Sequence, residues 1–339
     1  MSSSQQRAPS AMDIGVVVIG RNEGARLGKS LTSIGSGVPV IYVDSGSSDN
    51  SVDVARATNV TVLCLDPARP FSAARARNEG FARLRQSHPH LGFIQFVDGD
   101  CELAPGWLAA AAQALRVQSN RAIVTGKLEE LAPHASVYNQ LCAMEWDAPV
   151  GDLEDFGAIG GIFAVRAAVF ASLDGFRLDV VAGEDSEFGV RVGLAGHTIT
   201  RLPAAMATHD ADMQHFRQWW RRAVRGGHAI GQRAAIHGGS TVRDCVRQRR
   251  STLFWGVALP VLAIAASWPT RGASFGLLAF AYLYLGARIA SYRRDRGATW
   301  PAALLYARYT VLGKVANALG LLSYLRAEQR GRFQIIEYK

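Results

Sequence analysis

Four short apolar runs alternate with helix-like segments over the first part of this chain. The runs occupy residues 14–20, 38–43, 60–65 and 93–97, and each is rich in β-branched or aromatic side chains. Continuous apolar runs of this length are typical of strands that are covered on both faces. Strands that alternate with helices at this spacing predict an α/β fold, with an open, doubly wound, mostly parallel sheet.

Polar and acidic side chains follow these strands. Asn22 and Glu23 follow the first strand, Asp44 ends the second, and Asp98 and Asp100 follow the fourth. Ligands of open parallel sheets bind outside the carboxyl ends of the strands, so this edge is the predicted place for a nucleotide. Dinucleotide and P-loop sites are excluded, because neither Gly-x-Gly-x-x-Gly nor Gly-Lys-Ser/Thr follows a strand.

The fourth strand runs directly into Asp98-Gly99-Asp100. Two carboxylates separated by one glycine suit a hard divalent ion such as Mg²⁺ or Mn²⁺, which takes one or two protein carboxylates and completes its shell with substrate phosphates. The alternative is a polar turn, since Asp-Gly is a common turn pair. These three residues alone do not decide between the two readings.

Charge divides the chain into two unlike parts. Residues 1–214 carry 17 basic and 24 acidic residues, a net of −7, whereas residues 215–339 carry 20 basic and 4 acidic residues, a net of +16. The basic part is interleaved with long apolar runs, which favours an anionic membrane surface as the partner. It contains no recognisable nucleic-acid-binding pattern, so we expect no nucleic-acid partner.

The remaining composition sets the expected environment. The four cysteines lie far apart and match no Cys-x-x-Cys spacing, which predicts a reduced, cytosolic setting without structural zinc. Residues 1–13 are rich in Ser and Gln and lack the layout of a signal peptide, so we expect a disordered leader.

Five ordered pieces of the sequence resemble the family-2 glycosyltransferases, which are inverting, metal-dependent enzymes with the GT-A fold. The match extends over roughly residues 14–230. The pieces are Val-Val-Val-Ile-Gly-Arg-Asn-Glu-Gly at 16–24, Val-Asp-Ser-Gly-Ser-Ser-Asp at 43–49, Ala-Arg-Asn-Glu-Gly at 76–80, Asp98-Gly99-Asp100, and Gly183-Glu184-Asp185. One departure is Ile19, which stands where family members often carry proline.

The resemblance implies a donor site for a nucleotide-sugar. Glu23 and Asp44 would accept hydrogen bonds from the base or ribose, and Arg77 would lie over the nucleotide near base or phosphate. Asp98 would reach the ribose and the metal, and Asp100 would bind the Mg²⁺ or Mn²⁺ that bridges both phosphates. The alternative for Arg77 is an ordinary helix-surface arginine.

The resemblance also implies an acceptor half. Asp185 would be the base that deprotonates the acceptor hydroxyl, with Glu184 as its neighbour or as an acceptor-binding group. Without the other pieces, both would read as first-turn acids favoured by the helix dipole. The loop 157–163 resembles the glycine-rich acceptor-side loop, and His209, after a short strand near 198–202, resembles a metal- or diphosphate-contacting residue.

The basic part predicts a membrane region. The predicted divisions are a GT-A domain at 14–211 with nucleotide-binding and acceptor halves, basic Trp/Arg-rich interfacial helices at 212–252, and a membrane region at 253–339. Within the last, two apolar runs, about 253–268 and 273–290, predict a transmembrane hairpin whose basic flanks place both ends in the cytosol. Residues of about 300–325 carry Arg308 and Lys314 and predict an interfacial or re-entrant helix, with a third span as the alternative.

The resemblance and the membrane region together predict an inverting, metal-dependent glycosyltransferase that uses a UDP-linked sugar as donor. The predicted acceptor is a lipid-linked saccharide or glycolipid, and the predicted pathway is envelope or exopolysaccharide biosynthesis. The expected location is the inner (cytoplasmic) membrane, with the catalytic domain cytosolic. Two alternatives stay open. A sugar-phosphate nucleotidyltransferase would need a Gly-rich loop with a Pro-Lys step after the first strand, and a non-catalytic membrane scaffold would keep only the fold.

Overall fold

The apolar runs of the sequence form one mixed sheet in the computed structural model, which describes residues 13–330. Among these residues the strands are β1 Ile14–Gly20, β2 Val40–Asp44, β3 Thr61–Cys64, β4 Phe93–Asp98, β5 Cys101–Leu103, β6 Arg121–Glu130, β7 Gly151–Asp152, β8 Phe163–Arg166 and β9 Thr198–His209. The strand order is β3-β2-β1-β4-β8-β6-β9-β5, with β7 paired to β9.

The first half of the sheet is parallel. Strand β1 pairs in parallel with β2 on one side and with β4 on the other, and the register sets Gly20 beside Asp44 and Ile19 beside Asp98. The strand order reverses at β1, so the carboxyl ends of these strands meet at one edge. The second half begins with β8, which is antiparallel to β4. The predicted doubly wound, mostly parallel sheet is confirmed.

Both faces of the sheet are buried, which explains the continuous apolar runs. Val16 and Val18 face one apolar cluster and Val17 faces the other, because alternate side chains of a strand point to opposite faces. The buried amide of Gln95 is the polar exception within β4. It accepts a 2.8 Å hydrogen bond from the indole of Trp107 and donates one of 2.8 Å to a backbone carbonyl, so it satisfies the pairing that burial demands.

Twelve α-helices are described in residues 13–330. They are α1 Ala25–Ile34, α2 Ser51–Ala57, α3 Ala73–Ser87, α4 Trp107–Val117, α5 Val137–Glu145, α6 Ala167–Ser172, α7 Glu184–Leu194, α8 Phe216–His237, α9 Val246–Leu253, α10 Leu259–Ala265, α11 Ala273–Asp295 and α12 Trp300–Arg330.

The described residues divide into two compact units, each with most of its contacts within itself. One, the sheet unit, comprises residues 13–131, 148–178 and 184–210, and contains all nine strands. The other, the helical unit, comprises residues 132–147, 179–183 and 211–330. The helical unit therefore includes α5 and the short segment before α7, as well as the C-terminal helices. The predicted leader, residues 1–13, lies outside the described residues apart from Asp13, and the end of the predicted membrane region, 331–339, also lies outside them.

Helices α8 and α12 cross closely at small residues. An added Cβ on Gly320 would overlap the carbonyl oxygen of Val224, and one on Gly227 would overlap backbone atoms of Asn317. The two backbones approach this closely because glycine has no side chain at the crossing. The pair of glycines thus fixes how α8 packs on α12.

One histidine is enclosed at this crossing. His228 is 2% exposed, and its ring meets that of Tyr324 edge-on at a centroid distance of 5.4 Å. Neither ring nitrogen has a hydrogen-bond partner. Burial lowers the pKa of His228, so the ring stays neutral near neutral pH.

The predicted membrane segments take different forms. The first apolar run, about 253–268, contains the end of α9, a π-helical turn at Phe254–Ala258 and the short α10, which has Pro260 in its first turn. The second run lies within α11, and the third within the continuous 31-residue α12. Of the helices in residues 13–330, α11 is the one long and apolar enough to cross a membrane. The assignments of spans and of an interfacial helix stay predictions.

Candidate active site

The carboxylate of Asp44 is held rigidly at the end of β2. Its Oδ2 accepts hydrogen bonds from the backbone N–H groups of Gly46 (2.9 Å) and Ser47 (2.8 Å), and its Oδ1 accepts one of 2.9 Å from the Tyr42 hydroxyl. Burial, and then the charge of Asp44, raise the pKa of Tyr42, so the phenol remains a donor. The predicted donor-site carboxylate is therefore fixed in position.

Glu23 is held by the first residue of α2 and by Arg26. The backbone N–H groups of Glu23 and Gly24 donate to the hydroxyl of Ser51 at 3.0 and 2.9 Å, and the buried Glu23 carboxylate pairs with Arg26 at 2.9 Å. Both predicted donor-site carboxylates, Glu23 and Asp44, thus stand at the carboxyl edge of the parallel strands.

Arg77 joins two parts of the predicted site. Its guanidinium, 3% exposed, pairs with Asp98 at 2.7 Å and with Glu184 at 2.6 Å, and it lies over the ring of Phe176 at 5.6 Å. Burial disfavours the charged guanidinium, but the charges of Asp98, Glu184 and Asp185 outweigh it and hold the pKa of Arg77 above its usual range. Arg77 is a buried cation between carboxylates rather than a helix-surface arginine.

Two other residues of the Ala-Arg-Asn-Glu-Gly piece, Asn78 and Gly80, help to position Arg77. The side-chain amide of Asn78 donates to the carbonyl of Phe176 at 2.7 Å and accepts from its N–H at 2.9 Å. Gly80 lies against the sheet, where an added Cβ would overlap a methyl group of Val17. Gly80 therefore lets α3 pack closely on the sheet, and Asn78 fixes the position of the Phe176 ring beneath the Arg77 guanidinium.

Gly161 in the glycine-rich loop meets the same two side chains. An added Cβ would lie 2.9 Å from Arg77 Nη2 and 2.9 Å from Asp98 Oδ2, a spacing that real Cβ atoms do not show. Its carbonyl also accepts from Arg77 at 3.4 Å. Glycine at this position lets the loop backbone lie directly on the Arg77–Asp98 pair.

Asp100 and His209 meet at one place, together with Cys101. Their potential ligand atoms all lie within 4.8 Å of one another. His209 Nε2 is 3.9 Å from Asp100 Oδ2, and Cys101 is the register partner of His209 in the antiparallel β5–β9 pair. One divalent ion with bonds of about 2.0–2.3 Å can bridge the 3.9 Å between His209 Nε2 and Asp100 Oδ2, so these two side chains fit a metal ion.

His209 lies within a strand, and not after a short one as its sequence predicts. Strand β9 continues past Leu202 and through Pro203, because the β6–β9 register shifts between Thr125 and Lys127, which accommodates the missing N–H of proline. The longer strand brings His209 opposite Cys101. The predicted strand end near 202 is therefore wrong.

Glu130 orients His209. The imidazole Nδ1 lies 2.9 Å from a Glu130 carboxylate oxygen, and this bond leaves Nε2 facing Asp100. Burial opposes a charge on the ring, but the hydrogen bond to Glu130 and the charges of Asp100, Glu130 and Asp98 outweigh it and raise the pKa of His209. Excess negative charge at this place favours a bound cation.

The predicted catalytic pair opens α7. Gly183 precedes it with a φ of 74°, a left-handed conformation that favours glycine, and Glu184 and Asp185 form the first turn. Glu184 is buried and bonded to Arg77, whose positive charge makes it a poor base. Of the two acids, Asp185 is chemically the better candidate for accepting a proton.

The structure groups five of the predicted residues in two clusters. Arg77, Asp98 and Glu184 form one, and Asp100 and His209 form the other, with Cys101 in place of the expected Asp98 among the nearest potential ligand atoms. Sequence reasoning missed Glu130 and Cys101. Glu130 is the last residue of strand β6, as Asp98 is of β4, and that position was its available signal.

Comparisons with known proteins identify proteins that are similar to this chain. Residues 15–130 match the family described as Glycosyl transferase family 2. The pre-mycofactocin glycosyltransferase of Mycobacterium tuberculosis is 28% identical over 238 residues, which cover 65% of this chain and 47% of that protein. The chain thus spans about half the length of the curated relatives it matches.

Two solved structures share the fold. The mannosyltransferase PcManGT from Pyrobaculum calidifontis, solved with GDP-Man and Mn²⁺, has a TM-score of 0.60 at 19% identity, covering 93% of this chain and 88% of its own. Residues 1–349 of S. aureus TarS give a TM-score of 0.52 at 16% identity, covering 96% of this chain and 95% of that one.

Proposed function

We propose that this chain is an inverting, metal-dependent glycosyltransferase, because residues 15–130 match the model of Glycosyl transferase family 2 and lie within a sheet of GT-A type. The donor is a nucleotide-sugar. The observation that carries the proposal is the buried Arg77, which links Asp98 at the donor edge to Glu184 beside the proposed base.

The donor nucleotide would be held by fixed carboxylates. Asp44 and Glu23 are buried acceptors at the carboxyl edge of the sheet, suited to ring N–H and ribose hydroxyl donors. Uridine provides both kinds of donor, so we propose a UDP-linked sugar. Guanine also provides a ring N–H, and PcManGT was solved with GDP-Man, so a GDP-linked sugar belongs in the same assay.

The proposed metal is Mg²⁺ or Mn²⁺, held by Asp100 and His209, with Asp98 nearby. When bound, it supplies positive charge where negative charge develops on the departing nucleoside diphosphate. Glu130 keeps Nε2 of His209 directed toward Asp100. The Mn²⁺ of PcManGT, a protein of the same fold, supports the choice of ion.

Asp185 is the proposed base. It takes the proton from the acceptor hydroxyl as the oxygen attacks the anomeric carbon opposite the diphosphate, which inverts that centre. Arg77 neutralises Glu184 and holds it aside from this proton transfer. The glycine-rich loop around Gly161 leaves room for the backbone to lie against the reacting groups.

We propose a lipid-linked saccharide or glycolipid as the acceptor, at the inner membrane with the sheet unit in the cytosol, in envelope or exopolysaccharide assembly. Helix α11 is long and apolar, with large exposed side chains such as Phe280 and Leu283, and the exposed Arg294 and Arg296 lie at its C-terminal end. Apolar surface bordered by arginine suits a bilayer core and its anionic headgroups.

The test uses the full chain purified in detergent. Release of UDP or GDP from UDP-glucose, UDP-N-acetylglucosamine and GDP-mannose is measured with Mn²⁺, Mg²⁺ or chelator, with and without lipid extracts. We expect metal-dependent release that a lipid extract stimulates, loss of it in Asp100→Ala and Asp185→Asn, and full activity in Asp53→Asn, whose side chain is exposed. Release without metal, or full turnover in either active-site variant, would contradict the proposal.

The same assay, extended with sugar phosphate and nucleoside triphosphate as substrates, separates the other classes. A nucleotidyltransferase would form nucleotide-sugar from sugar phosphate and nucleoside triphosphate, and the match of residues 15–130 to family 2 speaks against it. A scaffold would release no nucleotide with any donor.

A further inference from the structure

Cys101 lies inside the proposed metal site. It is 0% exposed, and its Sγ is 3.3 Å from Oδ1 of Asp100. It also faces His209 across the β5–β9 pair, where directly opposed side chains are close neighbours. A thiol at the start of β5, the carboxylate of the preceding residue and an imidazole at the end of β9 therefore converge.

The donor chemistry differs from that of a pure oxygen site. Mg²⁺ prefers carboxylate, carbonyl and water oxygens, whereas thiolate with imidazole suits Zn²⁺, Co²⁺ and related thiophilic ions. A buried cysteine can also act as a small apolar side chain. Here its sulfur contacts the proposed ligand Asp100, and Glu130 holds the imidazole toward the same point.

We propose that Cys101 is a sulfur ligand of this centre, which makes it a mixed oxygen–nitrogen–sulfur site that binds thiophilic divalent ions more tightly than Mg²⁺. This inference rests on the proposed metal site. The Cys101 thiol gives its proton to solvent when the ion binds, and Asp100 and His209 supply the oxygen and nitrogen donors. Zn²⁺ then competes with the activating ion for the same ligands.

The test is the absorption spectrum of the Co²⁺-loaded full chain. A sulfur ligand gives Co²⁺ a thiolate-to-metal charge-transfer band in the near ultraviolet, which oxygen and nitrogen ligands do not give. We expect this band in the wild type, its loss in Cys101→Ser with Co²⁺ still bound, and about tenfold weaker Zn²⁺ binding in that variant. The control is Cys64→Ser, because Cys64 is exposed and is the competing thiol for adventitious metal.

A second measurement needs no variant at the site. X-ray absorption of Zn²⁺-loaded Cys64→Ser protein should show one sulfur at about 2.3 Å beside nitrogen and oxygen at about 2.0–2.2 Å. It covers the case in which Cys101→Ser does not fold.

The other outcomes overturn the inference in distinguishable ways. Bound Co²⁺ or Zn²⁺ without a sulfur ligand, or a charge-transfer band that persists in Cys101→Ser, removes Cys101 from the centre and leaves the proposed metal site intact. Failure of the wild type to bind either Co²⁺ or Mn²⁺ overturns both this inference and the proposed metal dependence.

Discussion

Arg77 donates a 2.6 Å hydrogen bond to Glu184, which lies 107 positions further along the chain. The bond ties helix α3, beside the first strands, to the first turn of α7. It also distinguishes two adjacent acids, because Glu184 is hydrogen-bonded to the buried cation, whereas Asp185 contributes its charge to the same guanidinium. Adjacent carboxylates in different surroundings commonly take different chemical roles.

Asp185→Asn and Glu184→Gln should therefore differ. Removing the proposed base should lower kcat by about 10²–10⁴-fold with little change in stability, since a positioned general base contributes that much. Glu184→Gln keeps the shape but leaves Arg77 with one carboxylate fewer, so we expect a loss of about 1–3 kcal/mol in the free energy of unfolding and a smaller loss of kcat. Steady-state kinetics and thermal unfolding of both variants check this. Equal kinetic losses in the two variants would contradict the division of roles.

Glu130→Gln should weaken metal binding. The amide cannot hold the imidazole as the carboxylate does, and losing such an orienting partner typically costs about 10–100-fold in metal affinity. Mn²⁺ binding is measured by calorimetry or by electron paramagnetic resonance. The matched control is Glu129→Gln, since the preceding residue is exposed. Unchanged Mn²⁺ affinity in Glu130→Gln would show that Glu130 does not act through His209.

Gly320→Ala should destabilise the helical unit. Its new methyl group would overlap the carbonyl oxygen of Val224 in α8, and overpacking of this kind costs about 1–3 kcal/mol. Gly276→Ala is the control, because that glycine, also within a helix, has no atom within 4 Å of an added Cβ. The measurement is the thermal unfolding of both variants in detergent, monitored by circular dichroism. A Gly320→Ala protein as stable as Gly276→Ala would show that the crossing is looser than described.

Stability should fall as the pH drops below about 6.5, partly through His228. Its folded pKa lies below the ordinary value of 6.5, so the unfolded chain takes up the proton first and is favoured in acid. The melting temperature should drop between pH 7.5 and pH 5.5 in both proteins. We expect this drop to be about 2–4 °C smaller in His228→Phe than in the wild type. The exposed His134, replaced by glutamine, serves as the control and should keep the wild-type pH dependence. An unaltered pH dependence in His228→Phe would remove this explanation.

The sequence by itself determined the local elements of the sheet unit. Helix α3 occupies Ala73–Ser87, between the third and fourth predicted strands, and the fourth strand runs into its two aspartates as expected. These features rest on short-range signals, namely apolar runs, turn residues and the Ser72 cap, whose hydroxyl accepts from the N–H of Arg75 at 3.1 Å. The pieces that resemble family-2 glycosyltransferases indicated which acidic residues at the strand ends belong to the predicted site.

Only the tertiary structure decided which of these groups meet. Arg77 reaches Glu184, and Glu130 reaches His209 from 79 positions away, because strand register and helix packing bring distant residues within hydrogen-bond range. The sequence predicts a short strand near residues 198–202, but pairing on both sides of β9 satisfies the backbone and carries the strand on to His209. Local sequence encodes backbone preference, whereas the partners of a buried charge depend on contacts between segments far apart in the chain.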